Sequence, residues 1–103
     1  MAGVTVRLLD AVAATGAGAT FNIQRAREER GGLHVWSTVT SFTLQIQGRS
    51  DLNAPWCPIA TYTNADLDAQ GCIAALVALM PDMRANCTAM VAGGGTLSVA
   101  LFE

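Results

Sequence analysis

The sequence predicts an all-β fold, an antiparallel β-sandwich or jelly-roll-like domain of seven to eight short strands. Three observations carry this. Apolar residues recur at every second position in several segments, the period at which strand side chains share a face. Clusters of Gly, Pro, Asn, Asp and Ser punctuate these segments at fairly regular intervals, as the turns of a sandwich or barrel do. The one segment with near-helical spacing, Asn64 to Met80, is interrupted by Gly71 and stopped by Pro81.

In chain order, Val4 to Leu9 opens as a strand, with Val4, Val6 and Leu8 alternating against Thr5 and Arg7. Asp10 to Ala19 is small and Gly-containing and reads as a loop. Thr20 to Gln24 forms a short strand, and Arg25 to Gly32 a charged loop ending in a turn. Leu33 to Val39 and Ser41 to Gly48 are strands; in the second, Phe42, Leu44 and Ile46 point one way and Thr43, Gln45 and Gln47 the other. Arg49 to Pro55 is a turn rich in residues that bond their own backbone. Trp56 to Thr61 returns as a strand, and Pro58 marks it as a sheet edge or bulge. For Asn64 to Met80 a loop followed by a strand from about Cys72 to Ala78 is preferred over a short helix. Met83, Ala85, Cys87 and Ala89 alternate with Arg84, Asn86 and Thr88. After the Gly93-Gly94-Gly95 turn, Thr96 to Phe102 closes the chain with Leu97, Val99 and Leu101 on one face. Phe42, Leu44, Ile46, Leu97, Val99 and Leu101 are therefore the expected core between two sheets. No repeat, heptad or low-complexity linker divides the chain, so residues 1–103 form one domain.

Composition bounds the function. Apolar residues make up 51% of the 103 residues and charged residues only 14%, against about 25% in ordinary soluble domains; mean hydropathy is +0.36. So few charges leave a lone monomer little with which to cover its surface, which predicts burial against other protein, including further copies of the chain. The stretch Ala85 to Phe102 is broken by Asn86, Thr88, the Gly triplet, Thr96 and Ser98, so no membrane span is expected. Met1 to Val6 lacks a basic segment followed by an apolar one, so no secretory signal is expected. A net charge of −2, with six arginines and no lysine, argues against nucleic acid as partner. Cys57, Cys72 and Cys87 are too widely spaced for a zinc knuckle and read as reduced, small buried hydrophobes.

No catalytic constellation is visible. A nucleophile needs a base in reach and a group to orient it. The single histidine, His34, sits between apolar neighbours and reads as a surface or edge residue. Asn64, Asp66 and Asp68 alternate faintly like a calcium loop, but Ala69 and Ala75 occupy the positions where that loop needs Gly and Glu. Trp36, Trp56 and Tyr62 could stack on sugar rings, with Asp51 and Asn53 adding hydrogen bonds; a core plug is the expectation for Trp56, while Trp36 fits an interface equally well. The run from Arg25 to Arg30 concentrates charge in a charge-poor chain. Arg25, Arg27 and Arg30 are candidate partner-binding residues, through bidentate bonds to carboxylates, and Trp36 is the fourth. Catalytic, metal and cofactor residues are expected to be none.

The succession Phe42-Thr43-Leu44-Gln45-Ile46-Gln47-Gly48-Arg49-Ser50-Asp51, then Trp56, then Met83-Arg84-Ala85-Asn86-Cys87-Thr88-Ala89 and Gly94-Gly95-Thr96-Leu97-Ser98-Val99-Ala100-Leu101 resembles a group of small tailed-phage virion β-sandwich proteins. The resemblance spans about Ser41 to Leu101 and departs at the turn, where Leu52 follows Ser50-Asp51 and many relatives carry Gly. It implies a non-enzymatic virion structural protein, foremost a capsid decoration (cement) protein that binds the capsid exterior and stabilises it. The implied partners are the major capsid protein or other virion proteins, in particles assembled in the host cytoplasm. Alternatives are a tail or head–tail component, or a carbohydrate-binding module. No catalytic residue comes with the resemblance.

Overall fold

The computed structural model describes residues 5–22 and 30–102, residue 30 in its backbone. The strands are β1 (Thr5–Val12), β2 (Gly16–Ala17), β3 (Phe21–Asn22), β4 (Arg30–Ser37), β5 (Ser41–Arg49), β6 (Cys57–Thr63), β7 (Cys72–Ala78), β8 (Asp82–Val91) and β9 (Leu97–Phe102), with a single 3₁₀ turn at Asn64–Asp66. They form two antiparallel sheets. One is four-stranded in the order β1-β9-β4-β7; the other runs β2-β8-β5-β6, with β3 also on β8. Because β2 and β3 pair with successive parts of β8, they act as one interrupted strand. The pairing is then nested: β1 with β9, β2 and β3 with β8, β4 with β7, β5 with β6. A long hairpin wrapped into two sheets in this way is a jelly roll.

The core lies between the sheets, and the six residues expected there are all within it, none more than 3% exposed. Leu33 and Val35 of β4, Ile73 and Val77 of β7, and Met83, Ala85 and Cys87 of β8 complete it. The strand preferred over a short helix is present as Cys72–Ala78, with Ile73 and Val77 buried and Ala74 and Leu76 exposed.

Local irregularities account for the places where simple alternation fails. On β8, Thr43 pairs with Ala89 but Leu44 with Cys87, so Thr88 is an extra residue. A bulge of this kind switches the faces beyond it; Ala89 is exposed and Met90 packs on the core instead. β1 carries the same device between Arg7 and Leu9, which buries both Leu8 and Leu9. The Asp10–Ala19 stretch is not all loop: β1 runs on to Val12, and Gly16 and Ala17 pair with Cys87 and Asn86. On β6 an extra residue falls beside Pro58, on an edge strand.

Gly31 and Gly32 are not a turn. Both lie within β4, paired to Val77 and Leu76, and the missing side chain of Gly32 makes room for the Phe102 ring. The predicted turns hold elsewhere. Asp51 accepts from the Asn53 backbone at 2.7 Å, and Gly93 and Gly94 take positive φ of 58° and 85° where the chain crosses from one sheet to the other.

Candidate interaction faces

Strand parity sends the even-numbered residues of β4 to the outer face of the four-stranded sheet, because Leu33 and Val35 point inward. Trp36 therefore lies outside the core, half-buried. Its ring lies 4.8 Å from that of His34, tilted by 42°, and the Arg7 guanidinium carbon is 4.9 Å from its centroid. Arg7 is itself tied to Asp10 at 2.8 Å. Around them the register builds an apolar surface: Gly32 sits between Leu76 and Phe102, and His34 between Ala74 and Ala100. Leu76 is 70% and Phe102 43% exposed. Exposed apolar side chains thus gather on one sheet face.

Of the other predicted partner-binding residues, Arg25 and Arg27 lie outside the described residues. Arg30 is the first residue of β4, paired through its backbone with Ala78. It belongs to the strand that carries Trp36, not to a loop.

The opposite outer face holds a polar network that sequence reasoning missed. Trp56 is not a core plug; it is half-buried against the five-stranded sheet, with the guanidinium carbons of Arg49 and Arg84 each 4.3 Å from its ring centroid. Cation–π contacts of this kind draw on the negative face of the ring. Arg49 Nε donates to Asp82 Oδ2 at 2.9 Å, and Asn22 Nδ2 to Asp82 Oδ1 at 2.7 Å. Asp82 thus staples its own strand, β8, to β3 and β5. Arg84 Nε donates to Gln47 Oε1 at 2.7 Å, and Gln47 Nε2 to Gln45 Oε1 at 2.9 Å. The signal was present in the outward parity of Gln45, Gln47, Arg49 and Arg84, but only the pairing of Gln47 with Arg84 and Arg49 with Asp82 brings them together.

The Asp82 carboxyl is held below the usual carboxylate range, first by the Asn22 amide and next by Arg49. A lowered folded-state pKa means that the charged form favours folding. That contribution is complete above the unfolded value of about 3.9 and is lost as pH falls through the folded value. Asp82→Asn is expected to lower Tm at pH 7 and to flatten the fall of Tm below about pH 4. Thermal scans from neutral to acid pH check both; an unchanged acid limb would remove Asp82 from the account.

The remaining candidates resolve into structure. Trp36 and Trp56 stand on opposite outer faces and Tyr62 packs against the core, so the three aromatics share no plane. Asp66 accepts from the Thr63 backbone at 2.8 Å, and Asp68 from Gln70 and Cys72 at 2.9 and 3.0 Å. The calcium-like alternation is thus a pair of turn caps. The cysteines are free thiols, and only Cys87 is buried; Cys57 is exposed on the edge strand β6 and Cys72 is intermediate. Burial pushes the Cys87 thiol up in pKa, which keeps it protonated and inert at neutral pH. Among the described residues no three His, Cys, Asp or Glu side chains come together as a metal site. A shallow depression of about 270 Å³ between the ends of β5 and β8 is lined by Thr43, Thr63, Asn64 and Met90, among others, with no titratable group. No helix among the described residues is long and apolar enough to cross a membrane. Comparison with protein-family models, with curated proteins and with solved structures returned no match.

Proposed function

We propose that this chain is a non-enzymatic structural protein of a virion, of the capsid decoration type, which attaches through the outer face of its four-stranded sheet. The observation that carries this reading is the apolar surface of Trp36, Leu76 and Phe102, held on rigid strands in a chain with 14% charged residues. Burial of that face against the major capsid protein or another virion protein supplies the cover the composition calls for. The jelly-roll topology is consistent with it, since viral capsid domains use this architecture; the argument from fold alone is analogy. A sugar-binding module draws no support here, because its aromatics are dispersed. Arg30 heads the strand that carries Trp36, so in this reading the arginine run adds a polar margin to an apolar contact, the usual anatomy of an interface.

The test is attachment to particles assembled without the chain, read by co-sedimentation. Trp36→Ala is expected to weaken attachment by roughly tenfold or more, as truncation of an anchoring tryptophan does. Replacing Arg25, Arg27 and Arg30 together by Ala should also reduce occupancy while leaving thermal unfolding almost unchanged. Wild-type protein that fails to bind any such particle would overturn the capsid reading.

A further inference from the structure

Each sheet edge carries a row of backbone groups that a further strand could pair with, and natural folds block such edges with charge, proline, bulges or brevity. Three edges of this protein are blocked. β1 carries Arg7 and Asp10, two register shifts and a positive φ of 49° at Ala11. β6 carries Pro58 and a bulge. β2 is two residues long and is separated from β3 by residues 18–20, which form no strand. β7 has none of these devices: Cys-Ile-Ala-Ala-Leu-Val-Ala is seven residues long, uncharged, without proline, and pairs with β4 without a register shift.

The direction of its free backbone groups follows from the hydrogen bonds at its start. Ser37 N donates to Gly71 O at 3.0 Å, toward β4. The next residue, Cys72, turns the other way: its N–H donates to Asp68 Oδ1 and its carbonyl accepts from Asp68 N at 2.9 Å. Alternation along an antiparallel strand then leaves Ala74, Leu76 and Ala78 with N–H and C=O directed out of the sheet. No loop or turn hydrogen bond among the described residues reaches them.

The geometry points to a second copy of this chain as the occupant, its β7 antiparallel to this one about a two-fold axis at Leu76. That register sets Leu76 opposite Leu76 and Ala74 opposite Ala78, so the three residues with free outward groups meet one another, while the outward groups of Cys72 stay with Asp68. No charge lies between Gln70 and Pro81, so no like charges meet across the axis. The row Phe102-Gly32-Leu76 on the outer face continues into its symmetry copy, and the largest exposed side chain of the strand covers its twin at the centre. Two four-stranded sheets become one of eight. The pairing rests on the assembly reading above and specifies its first step.

Sedimentation velocity over a range of concentrations measures the association. The wild type is expected to be a dimer whose Tm rises with concentration, and Leu76→Lys, which sets two ammonium groups face to face, a monomer with unchanged circular dichroism and a Tm independent of concentration. The register is read by oxidation in a Cys57→Ser, Cys72→Ser background. Leu76→Cys should give a covalent dimer, since opposed Cα atoms in a hydrogen-bonded pair lie about 5.5 Å apart, within the disulfide range. Ala74→Cys alone should not, because its twin lies roughly four residues along the strand, about 13 Å away. A monomeric wild type, or a dimer that survives Leu76→Lys and gives no Leu76→Cys crosslink, overturns the proposal. A monomer that still attaches to particles retires only the edge pairing, and a dimer that attaches to none retires only the capsid reading.

Discussion

Leu44→Ala is expected to destabilise the fold by at least about 3 kcal/mol, in the upper part of the range for buried leucines, and to lower Tm by more than roughly 10 °C. Leu44 is fully buried. Its strand, β5, is hydrogen-bonded on one side to β6 and on the other to β8, so the backbone cannot move in to fill the space left behind. A site that collapses poorly keeps its cavity and bears the larger cost. Leu52→Ala is the matched control, because Leu52 is 77% exposed in the β5–β6 turn; it should change stability by no more than about 0.5 kcal/mol. Equal effects of the two substitutions in denaturant titrations would contradict the burial on which the core assignment rests.

Gly18→Ala should be of similar severity for the opposite reason. A methyl group there falls on the carbonyl oxygen of Leu8 and against the Leu9 side chain. The glycine has no room to retreat, since its N–H donates to Ala85 O at 2.8 Å. It is wedged between β1 of one sheet and β8 of the other. Overpacking typically costs about 1–3 kcal/mol, and an obstacle made of backbone puts this case at about 3 kcal/mol or beyond. Gly94→Ala, with open space around its position, suffers only the strain of its positive φ, about 1 kcal/mol. Urea titration of the two variants should rank them in that order; a milder Gly18→Ala would mean that the sheets separate there with ease.

The elements legible in the sequence were those whose chemistry is local. β5 shows a strict period of two because the extra residues in its two pairings lie on β6 and β8, so nothing interrupts its own alternation, and its inward residues were identifiable one by one. β7 could be preferred as a strand because Gly71 and Pro81 bound it. Bulges were not legible. Thr88 looks like any outward residue of an alternating strand, and only the partner's register reveals it as an extra one. Trp56 was misplaced on the general tendency of tryptophan to fill cores; its true neighbours, Arg49 and Arg84, are 7 and 28 positions away and meet it only through β5 and β8. Gly31-Gly32 carried a turn signal that is ambiguous in principle, since glycine serves equally where a backbone must bend and where a ring must pass close. Trp36 was legible as a surface candidate, but the apolar face around it is assembled by β7 and β9, which no local pattern connects to β4.

The nesting of the strand pairs has a consequence for how the molecule comes into being. Only β5 and β6 are neighbours both in sequence and in hydrogen bonding, so the turn between them is the natural place for pairing to start, within about microseconds of the segment becoming free. Every further pair encloses a longer loop, and folds dominated by such non-local pairing take roughly milliseconds to seconds. The last to close is β1 on β9. On a ribosome adding about 5–20 residues each second, β1 waits on the order of 5–20 s for its partner to be made. Throughout that interval Leu8 and Leu9 have no strand to lie against, and β4, even once β7 has paired with it, has its β9 side bare. Protection of the nascent chain by a holding chaperone is therefore expected to decide its soluble yield more strongly than the stability of the finished fold.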